Sequence, residues 1–302
     1  MTSLLRCLGR ISLLCMLTTA AVNAGITHPF LCCDYNDGTV KLVGADGKIQ
    51  WSHACKAPQD CWRLPNGHIL LCYVGGVMEV TLDHKTIWEY HAPKQAEVHS
   101  CQPLPRGRTL LVEGGTSRIL ELNDKGIVVT EIPLTAKAGV QTHNQFRGTR
   151  KLPNGHYVVC FKGDNRVVEL DGVGHELKSI AVAGDPHAAV SLPDGHLLIT
   201  CGDGHKVIEV DSAGRTVWEL NENDIPGNPL RLTAGCQRLP NGNTVICNYL
   251  GHGHVATQPC VFEITPDKHL VWDFRDDAHF KTINQIQLMD VPGNVIAGAI
   301  RR

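Results

Sequence analysis

The chain has 302 residues, a formal net charge of −2, and 43% hydrophobic against 19% charged residues. This composition suits a folded protein with an ample core and excludes an intrinsically disordered chain. The near-balanced charge, without a basic stripe, also excludes a nucleic-acid surface, so no nucleic-acid partner is expected.

Residues 1–24 read as a secretory signal peptide. Arg6 and Arg10 form a basic start, Ile11 to Val22 an apolar run, and Val22-Asn23-Ala24 a small-residue cleavage site. The run is too short to cross a bilayer comfortably, and no other long apolar stretch follows, so no membrane span is expected after cleavage. Losing Arg6 and Arg10 moves the formal charge from −2 to −4. The expectation is an exported monomer, periplasmic or extracellular. Of thirteen cysteines, Cys7 and Cys15 fall in the leader and eleven remain, an odd number that leaves at least one unpaired.

Residues 25–302 read as one β-propeller domain. The phrase Leu-Pro-Asn-Gly returns at Leu64, Leu104 (as LPRG), Leu152, Leu192 (as LPDG) and Leu239, with a frayed copy at Asp290 to Asn294. Pro presets the second position of a type I turn and Gly accepts the left-handed position after it. An apolar run follows each phrase, so each is a β-hairpin tip, most simply a three-residue loop with a glycine bulge. The leucines lie about 40 to 48 residues apart, the period of a four-stranded propeller blade.

Within each unit a third strand carries a glutamate (Glu79, Glu121, Glu169, Glu209, Glu263), followed by a polar turn. A fourth strand carries Trp51, Trp88, Trp218 or Trp272; in the third and fourth units Val129 and Leu177 stand near that position. The first unit has a c–d pair, Thr39 to His53, with no hairpin phrase before it. The last has a hairpin, Gln285 to Ile300, with no c–d pair after it. The expected fold is therefore all-β: a six-bladed propeller of four-stranded blades, with one blade shared by the two ends of the chain.

The phrases Asp46-Gly47-Lys48-Ile49-Gln50-Trp51 and Asp211 to Trp218 resemble the docking motif of PQQ-like β-propellers. The run His99-Ser100-Cys101-Gln102-Pro103-Leu104-Pro105 resembles the signature of arylsulfotransferase-like propellers, with Ser100 where that signature has an acidic residue. The resemblance implies tryptophans that pack between blades and no bound quinone, so no cofactor is expected.

Cysteines at repeat positions (Cys61, Cys101, Cys236; Cys72, Cys160, Cys247) alternate with Thr, Ala and Val in other units, which describes small buried sites. A two-residue turn would put Cys61 opposite Cys72 and Cys236 opposite Cys247; a three-residue turn would not. No zinc spacing is present, and His252-Gly253-His254 is an incomplete ligand set, so no metal site is expected. His68, His156, His196, His84, His175 and His269 fall in a–b and c–d turns and should be solvated. His91, His99, His143, His187, His279, His205, His252 and His254 fall in connections on the other rim, with Arg147, Lys162, Asp164 and Asp203. That rim also has the longest connections, where binding residues concentrate.

Five residues before each turn leucine stand Gln59, His99, Arg147, His187 and Ala234, with Asn284 as the sixth member. They form a polar, carboxylate-poor ring at the channel mouth, with His143 leaning over it. Such a ring suits an anionic or hydrogen-bonding ligand. Two functional classes follow. One is a binding module for a small anionic ligand, glycan or protein. The other, implied by the resemblance, is a transferase or hydrolase of arylsulfotransferase-like type, with His99, His187 and Arg147 as candidate catalytic groups.

Overall fold

The Leu-Pro-x-Gly phrases form the turns that hold the blades. In the first, Gly67 N donates to Leu64 O and Leu64 N donates to His68 O, both at 2.9 Å. Gly67 sits at φ 84°, so the loop is the three-residue form with glycine in the left-handed region. The same pair of bonds closes the turns at Leu152, Leu192 and Leu239. The computed structural model describes residues 27–298 and 300–302; the expected signal peptide lies outside them.

The described strands form six four-stranded antiparallel sheets, each with strands a to d running outward from the central channel. Blades 2 to 6 are each built from one contiguous segment, residues 58–91, 97–133, 146–181, 188–221 and 232–274 in turn. Blade 1 takes its innermost strand, Ile283–Leu288, from the C-terminal side and its outer three, Phe30–Asp34, Thr39–Val43 and Ile49–Ala54, from the N-terminal side. The six-bladed all-β propeller with a shared blade is thus the observed fold. The terminal hairpin is not. Phe30–Asp34 takes the place next to Ile283–Leu288, with Phe30 opposite Leu288, so the phrase at Asp290 leads into no strand b.

Instead, the chain after Leu288 folds under the channel. Val295 and Ile300 are buried in the core between blades 2 and 3, and Arg302 reaches the channel axis. Its guanidinium pairs with Asp60 and lies 3.9 Å from the Trp62 ring centroid. Arg150 also pairs with Asp60, at 3.0 Å. One buried carboxylate therefore ties blade 2, blade 4 and the C-terminal segment together.

The tryptophans dock blades, as the repeat implies. Trp51 Nε1 donates to Leu82 O and Trp218 Nε1 to Pro266 O, each in the next blade's c–d turn. Trp88 packs on Gly126 of the next turn, where a Cβ would lie 3.0 Å from the ring. The strand register corrects the sequence alignment by one residue in blades 3 and 4. Glu121 and Glu169 face Thr130 and Lys178, just as Glu79, Glu209 and Glu263 face tryptophans. Val129 and Leu177 are exposed. Lys178 Nζ donates to Ser212 O at 2.6 Å, replacing the indole hydrogen bond.

The strand-c glutamates are structural: Glu121 and Glu209 pair with Arg or Lys, and three of the five pair with a turn histidine. Glu79, Glu169 and Glu209 bind His68, His156 and His196 at 2.6 to 2.8 Å. Those turn histidines, expected to be merely solvated, brace each hairpin against strand c. Glu121 takes Arg108, Lys151 and the Tyr157 hydroxyl, and Glu263 takes His28 and Asn243.

All eleven described cysteines are buried thiols. The three-residue turn sets Cys61 opposite Leu71 and Cys236 opposite Ile246, so neither faces Cys72 or Cys247. Burial pushes the Cys72 thiol well up and the Cys160 thiol likewise, which keeps both protonated and unreactive. Peptide mapping of unreduced, alkylated protein should find no 61–72 or 236–247 crosslink; finding both would refute this register.

Candidate functional site

The candidate site is the mouth of the channel on the rim of b–c and d–a connections. Gln59, His99, His143, Arg147, His187 and Asn284 line one cavity there, of about 500 Å³. That volume lies in the range of small-molecule sites. The five polar residues expected from the repeat alignment, and His143, expected to lean over them, therefore come together, with Ala234 as the apolar member of the ring.

Local backbone geometry puts them there. In five of the six innermost strands the register against strand b slips at the ring position: Gln59, His99, Arg147–Gly148, Ala234–Gly235 and Asn284. A β-bulge leaves a residue out of the ladder and re-aims its side chain. In blade 5, strand a begins at Ala188, so His187 stands just before it. His99 is not in a connection, as its sequence position suggested, but inside strand a of blade 3, Glu97–Leu104. His143 comes from a single helical turn, Thr142–Gln145, in the connection to blade 4.

Arg147 dominates the electrostatics. It is 6% exposed, and among the described residues its guanidinium makes only one hydrogen bond, from a terminal nitrogen to Phe146 O at 3.3 Å. Among the described residues it has no ion pair. Burial lowers its pKa to about 10, which leaves it charged at neutral pH.

Two carboxylates stand behind the ring. Glu97 Oε2 accepts from His99 Nε2 at 3.1 Å and His143 Nδ1 at 2.8 Å. The His99 hydrogen bond leads in holding the Glu97 carboxyl down to about 2. Asp185 Oδ2 lies 3.4 Å from His187 Nε2 and 3.1 Å from Lys162 Nζ. Burial raises the Asp185 pKa, but His187 and Lys162 outweigh it and hold the carboxyl well below its usual range. Burial, aided by the charge of Arg147, pushes His99 down to about 3 and His187 to about 4. Both imidazoles are therefore neutral at pH 7. His99 Nδ1 and Asn284 Oδ1 are buried with no hydrogen-bond partner among the described residues.

The remaining rim residues divide. His252 lines the cavity and pairs with Asp203 at 3.1 Å, and Lys162 lines it too. Asp164 turns away to Arg166 and to the backbone of Lys137. Ser100, the departure from the arylsulfotransferase-like signature, accepts from Thr149 N at 3.0 Å and links blades 3 and 4. Tyr35 and Tyr249 line the wall and were not anticipated, nor were Glu97 and Asp185. The last two carry a readable signal: each stands seven residues before its turn leucine, two before the ring histidine.

No curated protein matches the chain. Among solved structures it is similar to a protein of unknown function from Bacteroides caccae, with 28% identity over 88% of this chain and all of that one, and a TM-score of 0.80. It also resembles regucalcin, a calcium-binding protein from Agrobacterium tumefaciens, with 12% identity, 83% and 87% coverage and a TM-score of 0.59. Catalytically inactive virginiamycin B lyase from Staphylococcus aureus with quinupristin gives 17%, 72% and 70%, and 0.54. The last two likenesses show the propeller fold alone. The sequence model of the Mal s 1 allergenic protein-like family matches residues 42–249. The chain belongs to that family.

Proposed function

We propose that the protein is an exported binding module that holds a small anionic ligand in the channel mouth. The observation that carries this reading is the Arg147 guanidinium: buried, charged and in ion-pair contact with no carboxylate among the described residues, with Glu97 and Asp185 acting on it only from a distance. A buried guanidinium with no carboxylate in contact is costly, and an oxyanion offers the planar, two-oxygen partner its fork fits. Lys162, paired with Asp185, adds charge beside it, and the neutral His99, His187 and Asn284 add hydrogen-bonding groups; Asp203, paired with His252, also lines the cavity. Calorimetry with sulfate, phosphate and acetate tests the reading. At least one should bind the wild type, and His187→Ala should weaken it by about 1.5–3 kcal/mol, the worth of a hydrogen bond to a charged group. Equal binding by both proteins would remove His187 from the site.

A second reading, arylsulfotransferase-like transfer, is favoured by one observation. His99 Nε2–H donates to the Glu97 carboxylate, which leaves the lone pair on Nδ1, unpartnered among the described residues. That is the form of a nucleophile or general base. In this reading Nδ1 bonds to the sulfur of an aryl sulfate, the ester S–O bond breaks, and the phenolate leaves with its electron pair. Mass spectrometry of protein incubated with an aryl sulfate should then find one sulfated histidine; release of no phenol would end it. The PQQ-like part of the resemblance concerns blade docking and assigns no cofactor.

A further inference from the structure

Beside Arg147 the channel wall contains a second grouping, centred on Glu97, that shares His99 with the proposed anion site. Glu97, His99 and His143 direct three donor atoms, Oε2, Nε2 and Nδ1, to one place, all within 4.8 Å of one another. We propose that these three residues bind a divalent transition metal such as zinc at the edge of the channel mouth. The nitrogens lie 3.1 and 2.8 Å from the shared Oε2. Zinc bonds of about 2.0–2.1 Å in tetrahedral geometry set donors roughly 3.4 Å apart, so each nitrogen needs to move about 0.3–0.6 Å away from Oε2. Two imidazoles and a carboxylate are three ligands, which leaves a fourth position for water or a ligand atom. Each imidazole would shift its proton to the other ring nitrogen and present a lone pair to the metal; no net proton need leave.

The repeat supplies an internal comparison. Blade 5 has the same pair at the same offset, Asp185 and His187, but Lys162 closes it at 3.1 Å where blade 3 has His143. An ammonium cannot ligate a cation, so only the blade 3 version is a ligand set. A third grouping, Asp194, His196 and Glu209, is the hairpin brace found in other blades. Its carboxylate is already held by Arg238 at 2.8 Å, so it carries no metal reading.

The experiment uses untagged full-length protein, freed of metal by chelator and dialysed against zinc. Elemental analysis should find about one equivalent bound with high affinity, and cobalt substitution should give the visible absorption of a four-coordinate site. His143→Ala and Glu97→Gln should each lose that equivalent, while His187→Ala keeps it. Melting temperatures without metal identify a variant that failed to fold, in which case the other decides. No tight zinc in wild type, or zinc retained by both variants, overturns the proposal. Arg147→Met should keep its zinc even where it loses sulfate, so this site and the anion site fail separately.

Discussion

Deleting residues 284–302 should abolish cooperative unfolding of the ring. The deletion removes most of the innermost strand of blade 1, whose Ile286 and Leu288 are fully buried. It also removes Val295 and Ile300, and so strips four apolar side chains from two cores. At about 1.5–3 kcal/mol each, their loss rivals the roughly 5–15 kcal/mol net stability of a typical domain. Phe30 to Asp34 would become an open edge beside the channel, and a closed ring has no other strand to cover it. The same cut removes Arg302, one of the two ion-pair partners of buried Asp60 among the described residues, and breaking a buried pair costs about 3–5 kcal/mol. Urea unfolding followed by tryptophan fluorescence reads the outcome. A truncated protein with the wild-type midpoint and slope would disprove closure through this strand.

Arg147→Met should raise the melting temperature while it destroys anion binding. In the unliganded protein the guanidinium is desolvated, and among the described residues its one hydrogen bond goes to a backbone carbonyl. Replacing a buried ion pair with apolar side chains of similar volume is often neutral or stabilising by about 1–4 kcal/mol, and an arginine with no carboxylate in contact has less attraction to lose. The same change removes the only fixed charge inside the ring, which should cost about 2–5 kcal/mol of anion affinity, at least about thirtyfold. Opposed effects of one substitution distinguish a functional group from a structural one: a structural arginine would lower both quantities or the first alone. Thermal unfolding without and with sulfate shows the pattern. A large fall in melting temperature without sulfate would mean that Arg147 holds the fold.

The blade count, the shared blade and the ring were legible because they rest on local chemistry. Pro and Gly mark each hairpin, and a common offset from the turn leucine carries the alignment to Gln59, His99, Arg147, His187 and Asn284. What aims those side chains, a bulge in five innermost strands, has no residue signature here; His99, Arg147 and Ala234 share no chemistry. Glu97 and Asp185 lay within reach of the same offset rule but are masked by the strand pattern around them. The tryptophan substitutes were misaligned by one residue because Thr130 and Lys178 are polar and Val129 and Leu177 look like core. The Arg302 plug was invisible for a different reason: its partner Asp60 is 242 residues away across the channel.

The central claim is that Arg147 holds an anion at the channel mouth, and sulfate titration by calorimetry, wild type against Arg147→Met, tests it most directly. Sulfate should bind the wild type saturably at one site, and Arg147→Met, folded and at least as heat-stable, should lose affinity at least about thirtyfold. Sulfate binding of equal strength in both proteins would contradict the account.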